Sequence, residues 1–562
     1  MAIFEKTTHN KALTDDTEKL SCTIESAQTI NKHTEYILRV QQCSSREWNV
    51  SRRYSDFAAL HASLQQSNIE LPLPPKKLIG NMQPSFIAER QIALQYYIND
   101  ILKHDVLALS LQVRSFLDPK NYSLNIADHA LQTVSIALRG DGRYELKGPL
   151  PDIGWRIRKH YFSVCDTENK TNCLLSWQSY GADRYLGDKD LQNAFKSLQS
   201  LSHPYIDPIL AIHNLETGVF VVRRIHDKGS VRDLLYGTEY GNHHLAKYAN
   251  PRVRKPFTTG QIAHFGYQIL HALKFLHEKG LPHGHIHPGN ICIDNQRAVL
   301  MDLENVLVGA ASLYRPHLLH LRRVVSAEAV DVYCFGRTLY EMAFGTALTD
   351  YYCDQYPDGV HEDLESVLRL CLSSSSCKHG GPSLEHLLQQ PLFSRAPLNG
   401  LSTCSQDTRA HLKFPLALKE QLKAAVASTE ARLKIDQKLV RTAKREVRIQ
   451  EILSSDEEIK KQKRKARKRE SEWKSTSSLA ETVRSHSVST ASSPTPPALC
   501  GDVSVASAGG RSEGSGGGSA GARGGFAGAG SGVAGACDAR SSLLAAICAF
   551  DKTRLNGVAG VR

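Results

Sequence analysis

Two groups of residues in this sequence have types and spacings suited to chemistry. The first lies within residues 20–119. It comprises R-R-Y-S-D-F at 52–57, P-L-P-P-K-K at 72–77, and Arg90 at the end of F-I-A-E-R. Guanidinium forks pair bidentately with phosphate oxygens, a lysine adds a point charge, and an aromatic face covers a sugar ring. Together these meet the needs of a phosphorylated inositol, whereas one such arginine alone would read as a surface ion pair. The prolines place apolar surface beside the charges, where acyl chains would lie. The second group is H-G-H-I-H-P-G-N at 283–290, followed by V-L-M-D-L-E at 299–304. Asn290 and Asp302 suit a divalent cation, and suit loop hydrogen bonds equally well. His283, His285 and His287 alternate in a loop with no cysteine among them, which reads as loop histidines and leaves any metal site undefined.

These residues need elements to hold them. Tyr36–Val40 alternates as a strand should, and Trp48–Ser51 continues in that style. After the proline-rich turn, Phe86–Leu102 reads as a helix with Ile87, Leu94, Ile98 and Ile101 near one face. Residues 121–150 read as a connector. From 151 to 395 strands come first and helices follow, among them Gln261–His277, with Ile262, Phe265, Ile269, Leu273 and Leu276 at helical spacing.

The three basic elements, in this order, resemble the phox-homology (PX) domain, and the resemblance covers residues 1–120. It implies that Arg53 holds a 3-phosphate, Tyr54 packs on the inositol, Lys77 meets the 1-phosphate and Arg90 the 4- and 5-hydroxyls. Arg52 is expected to be structural. Residues 151–395 resemble the protein-kinase fold through the catalytic-loop, metal-turn and D-V-Y-C-F-G segments. The catalytic parts are then checked one by one. The Gly-rich phosphate cover is reduced to Gly154 within 152–159. The expected strand, C-L-L-S-W at 173–177, has no lysine, and no glutamate falls between Glu168 and Glu216 to pair with one. The base aspartate aligns with His285 and the lysine two residues on with His287. Asn290 and Asp302 keep the two metal-ligand positions, and the D-F-G turn reads D-L-E. A missing base forfeits ~10²–10⁴ in rate. We therefore expect a pseudokinase and not an enzyme, with weak Mg–ATP binding as the only cofactor to look for and an active but atypical serine/threonine kinase as the alternative.

Composition frames the rest. The chain has 562 residues, net charge +12 and 13 scattered cysteines without a CxxC pair, which favours anionic partners and reduced thiols. The N-terminus has no signal-peptide pattern and no run is apolar enough to span a bilayer, so membrane contact is expected to be peripheral. Residues 416–470 are rich in Lys, Glu, Ala and Leu and read as a solvated charged helix or partial coiled coil. They end in eight basic residues out of ten at 460–469. That run reads as solvated helix, nuclear-localisation signal or contact with anionic lipid, and the last is preferred beside a lipid-binding domain. No nucleic-acid recognition motif accompanies it. Residues 471–536, rich in Ser, Pro and Gly, are expected to be disordered. Residues 537–562 resemble a WASP-homology-2 actin-binding motif through Leu543, Leu544 and Ile547, with its basic second half lost.

The expected fold is thus multidomain α+β: a PX domain, a bilobal kinase-like domain, a basic helical segment and a disordered tail. This order resembles a family of PX-domain kinase-like proteins. The resemblance implies a cytoplasmic and peripheral-membrane scaffold at endosome and plasma membrane, binding phosphatidylinositol 3-phosphate. It also implies a role in endosomal trafficking, the sodium/potassium ATPase β subunits as partners, and possible contact with actin.

Overall fold

The computed structural model describes residues 15–30, 33–42, 46–77, 83–122, 125–395, 410–454 and 459–468, all within one compact unit. The expected linker 471–536 and the actin-type motif with Leu543, Leu544 and Ile547 lie outside the described residues.

The N-terminal domain is a three-stranded antiparallel sheet, β1 (Leu20–Ile30), β2 (His33–Gln42) and β3 (Glu47–Arg53), covered by helices α1 (Tyr54–Leu64) and α2 (Pro84–Lys103). Strand alternation sends Tyr36, Leu38 and Val40 into the core, where they meet Phe57, Leu60, Leu94, Tyr97 and Ile98. Pro84 sits in the first turn of α2, where its missing N–H costs nothing. Register fixes the two ends of this domain. Arg53 pairs with Glu35 and Glu35 with Gln28, whereas Leu20 pairs with Gln42 at the far end.

The second domain begins earlier than the composition indicates. Tyr144–Pro149 is strand β4 of a five-stranded antiparallel sheet with β5 (Lys159–Asp166), β6 (Thr171–Ser179), β7 (Ala211–Asn214) and β8 (Gly218–Arg224), in the order β4-β5-β6-β8-β7. The helix Ile126–Asp141 buries Ala130, Val134 and Leu138 against that sheet. Residues 121–150 are therefore part of the small lobe, not a connector. The helix Asp188–Gln199 packs beside this sheet, and below lies a helical lobe built on Thr259–Glu278 and the central helix Ala327–Phe344. The hairpin of β9 (Ile291–Asp294) and β10 (Arg297–Leu300) carries the loop with Asp302.

The tail corrects a second expectation. Leu416–Ser454 is one helix, but it is docked through Leu418 to Val440 and not solvated all round. Leu418, Leu422, Leu433 and Val440 are buried in the core of the kinase-like domain. Gln437 is 1% exposed, and its amide nitrogen donates to the carbonyls of Leu318, Leu321 and Val324 at 3.0, 2.8 and 3.2 Å. The basic stretch 459–468 is helical and exposed.

The two domains are packed together. Leu245 inserts into the N-terminal core, and the Asn250 amide donates to the Asn68 carbonyl at 2.8 Å. Asp15 and Asp16 lead into β1 while pairing with Arg315 and Arg158 of the kinase-like domain at 2.6 and 3.1 Å. Among the described residues no helix is long and apolar enough to cross a membrane.

Candidate functional site

At the Arg53 end of the sheet, the chain turns from β3 directly into α1. Arg53 caps that helix through its backbone, its amide donating to Asp56 Oδ2 at 2.8 Å, and its side chain stays exposed. Arg52 points the opposite way, as strand alternation requires. Its Nε and Nη2 donate to the Phe116 carbonyl at 2.8 and 2.6 Å, tying the sheet to the helix Leu111–Leu117. The Tyr54 hydroxyl donates to the Pro74 carbonyl at 2.6 Å, which draws the proline loop onto α1.

Arg90 is buried from the next helix. Its guanidinium lies 4.4 Å from the Tyr54 ring and 4.2 Å from the Phe86 ring, and Nη2 donates to the Pro75 carbonyl at 3.3 Å. Its Nε has no acceptor among the described residues. Lys77 approaches the same Phe86 ring to 4.4 Å. Thus Tyr54, Lys77 and Arg90 converge, with Arg53 adjoining Tyr54 at the rim. Phe86 holds the cluster together and was not singled out from sequence, although its place one turn before Arg90 on a helix was visible.

The cleft between the lobes of the second domain holds the other candidate residues. Asp331, fully buried, accepts from the backbone amides of His283 and Gly284 at 2.9 and 2.6 Å and so fixes the loop. His283 lies 3.0 Å from the Met301 carbonyl through Nε2. At the base position, His285 faces the Arg156 guanidinium, Nη2 to Nδ1 at 3.1 Å. Burial, then the charge of Arg156, push its pKa well below the ordinary histidine value. His287 is likewise depressed, chiefly by burial, and its Nδ1 accepts from the Gly289 amide. No metal-holding group of His, Cys, Asp or Glu occurs among the described residues.

Asn290 donates to the His285 carbonyl at 3.0 Å. Asp302 adopts a left-handed backbone, φ 63°, that aims its carboxylate into the cleft. There the structure supplies a lysine that the sequence reading declared missing. Ser176 on β6 lines the cleft, but Lys159 reaches in from the neighbouring strand, its Nζ 2.7 Å from Asp302 Oδ2 and 3.8 Å from Glu304. Glu304, where the family has glycine, is gripped by Arg223 at 2.6 Å. Burial alone would raise the Asp302 carboxyl, yet Lys159 and Arg223 hold it below the ordinary range.

A PX domain model matches residues 41–120, and a protein tyrosine and serine/threonine kinase model matches residues 163–302. Over 453 residues the chain is 43% identical to the PX domain-containing protein kinase-like protein of Mus musculus, which covers 80% of this chain and 77% of that protein. The chain belongs to the PX domain-containing protein kinase-like family. It is also 36% identical over 223 residues to the Slowpoke-binding protein of Drosophila melanogaster, covering 37% of this chain and 42% of that one. A probable inactive serine/threonine-protein kinase, slob1, of Dictyostelium discoideum is 27% identical over 290 residues, covering 46% and 48%. This chain therefore carries a PX domain followed by a kinase-like domain, and two of these three relatives carry names that are kinase-like or inactive.

Proposed function

We propose that this chain is a phosphoinositide-binding, membrane-recruited pseudokinase scaffold. The observation that carries the reading is the cluster of Tyr54, Lys77 and Arg90 beside Arg53, at the end of the PX domain away from its kinase-like partner. Arg90 there keeps a buried donor, Nε, without an acceptor among the described residues, which suits phosphate or hydroxyl oxygens. The contacts with Asn250 and Leu245 gather at residues 65–68, past the C-terminal end of α1, so lipid can reach the other end freely. The ligand inferred is a 3-phosphorylated phosphoinositide, and the location a cytoplasmic face of endosome or plasma membrane.

Two features support a non-catalytic second domain. His285 is faced by the Arg156 guanidinium at 3.1 Å, and burial, then that charge, push its pKa well below the ordinary histidine value. The docked tail helix lies along residues 318–324, between the Asp302 turn and the central helix, on the stretch a kinase uses around its activation loop. One observation favours the second reading, an active atypical kinase: Lys159 replaces the absent strand lysine. The clients inferred are membrane transport proteins. The name of the Drosophila relative supports this class, and the sodium/potassium ATPase β subunits and a trafficking role are proposed within it. Actin binding through Leu543, Leu544 and Ile547 is proposed as a weak contact.

The test is flotation of the full chain with liposomes containing phosphatidylinositol 3-phosphate. Arg53→Gln should abolish binding while leaving the melting profile in place. Equal binding by wild type and variant refutes the site. Phosphate transfer to protein by wild type, lost on Asp302→Asn, would establish the kinase reading instead.

A further inference from the structure

We propose that the inter-lobe cleft binds a phosphate-bearing ligand without a divalent cation, with Lys159 and Arg223 supplying the positive charge that a metal ion supplies in an active kinase. Both oxygens of Asp302 are engaged by cationic side chains. Oδ2 takes Lys159 at 2.7 Å, and Oδ1 faces Arg223 Nη1 at 3.6 Å. Asn290, at the other metal-ligand position, donates its Nδ2 to the His285 carbonyl, which leaves its Oδ1 out of that bond, so the case against a cation rests on Asp302. A cation entering between them would have to expel a lysine that is 2% exposed and leave its ammonium with Glu304 alone, at 3.8 Å. An uncompensated buried charge of that kind is strongly unfavourable.

The replacement extends past one ion pair. Glu304, in the position where the family has glycine, takes both Nη atoms of Arg223 at 3.2 and 2.6 Å. This holds the guanidinium at the back of the cleft, next to Asp302. In front, Arg156 makes its hydrogen bonds to neutral partners, the Ala311 carbonyl at 2.6 Å and His285. No carboxylate lies within ion-pair distance of it among the described residues. Arg232 and Lys247 also border the cavity, but each is paired already, with Glu341 at 2.6 Å and with Asp233 at 3.0 Å. Leu174, Ile225 and Met301 add apolar lining to the same cavity. A cleft lined by both cations and apolar side chains suits a nucleoside phosphate.

The cavity is about 130 Å³. A pocket for a ligand of drug size is about 300–1,000 Å³. A whole nucleotide therefore needs a wider cleft, and the segment joining β4 to β5, which carries Gly154 and Arg156, borders it. Gly154 in that segment permits the present close packing, since a Cβ there would meet the Tyr161 hydroxyl at 2.5 Å.

The experiment is calorimetry and thermal denaturation of the full chain with ATP, pyrophosphate or adenosine, each in EDTA and in magnesium. ATP should bind in EDTA, and magnesium should not tighten it. Equal binding of pyrophosphate places recognition in the phosphates, and stronger ATP binding adds the base; both support the site. Asp302→Asn removes a competing carboxylate and should tighten ATP severalfold in EDTA. The charge-matched Lys159→Met/Asp302→Asn variant should lose binding at least tenfold while still melting cooperatively. Binding that requires magnesium, weaker binding in Asp302→Asn, an adenosine affinity equal to that of ATP, or no binding of any probe overturns the proposal.

Discussion

Replacing Lys159 with methionine should destabilise the kinase-like domain far more than replacing its partner Asp302 with asparagine. The buried cluster contains Lys159 and Arg223 against Asp207, Asp302 and Glu304, with His226 3.0 Å from Asp207. Lys159→Met leaves three carboxylates around one guanidinium in a largely buried site. Breaking a buried pair in this way costs about 3–5 kcal/mol. For a domain of this size each kcal/mol lowers the melting temperature by about 2–4 °C, so the expected drop is roughly 6–20 °C. Asp302→Asn instead leaves two cations facing two carboxylates, and should cost less than half as much. Combining the two should recover stability relative to Lys159→Met alone, because the double variant, with one guanidinium against two carboxylates, returns to the wild-type excess of a single carboxylate. Differential scanning fluorimetry and urea unfolding of the four proteins form a double-mutant cycle. If the two single changes cost the same and simply add, Lys159 is not held by Asp302 and the cluster described above is wrong.

Other outcomes follow from single contacts. Arg52→Gln should lower stability by about 1–3 kcal/mol, since buried carbonyls of the helix Leu111–Leu117 lose their donor, yet spare lipid binding once folded; loss of lipid binding in the folded variant would contradict this. Leu433→Ala with Gln437→Leu should free the tail helix, seen as faster proteolysis between residues 416 and 441; unchanged cleavage would show that other contacts hold it. The hydrogen bond to Asp207 raises the His226 pKa above its ordinary value. A raised folded-state pKa adds stability below the unfolded value, and that stability is lost as pH rises through the folded one. His226→Gln should therefore cost more at pH 5.5 than at pH 8.5, and a cost that does not vary with pH would place no proton on this pair.

Residues close in sequence or on one pattern were legible from the chain alone. R-R-Y-S-D-F is a strand end running straight into a helix, and the structure keeps both. Lys159 escaped because the reading searched the strand where a kinase carries its lysine. The lysine comes from the adjacent strand, two residues before Tyr161 on the face toward the cleft, and only sheet pairing brings it to Asp302. The helix Ile126–Asp141 escaped although Ala130, Val134 and Leu138 recur every fourth residue; lying between two recognised domains, that stripe was passed over. Charge hid the docking of the tail. Leu418, Leu422, Leu433 and Val440 form a sparse stripe in a segment crowded with Lys, Arg and Glu, and the deciding contact is made by a glutamine, Gln437.

The tail helix also sets a geometry of reach. It runs 39 residues, about 58 Å at 1.5 Å per residue. Contact with the body extends along it at least to Lys444, 5.3 Å from the Tyr351 ring. From Leu418 to Lys444 the helix is a splint about 39 Å long laid on the kinase-like domain. One residue inserted between Leu422 and Leu433 would turn the later contacts by about 100° away from that domain, since 3.6 residues make a turn.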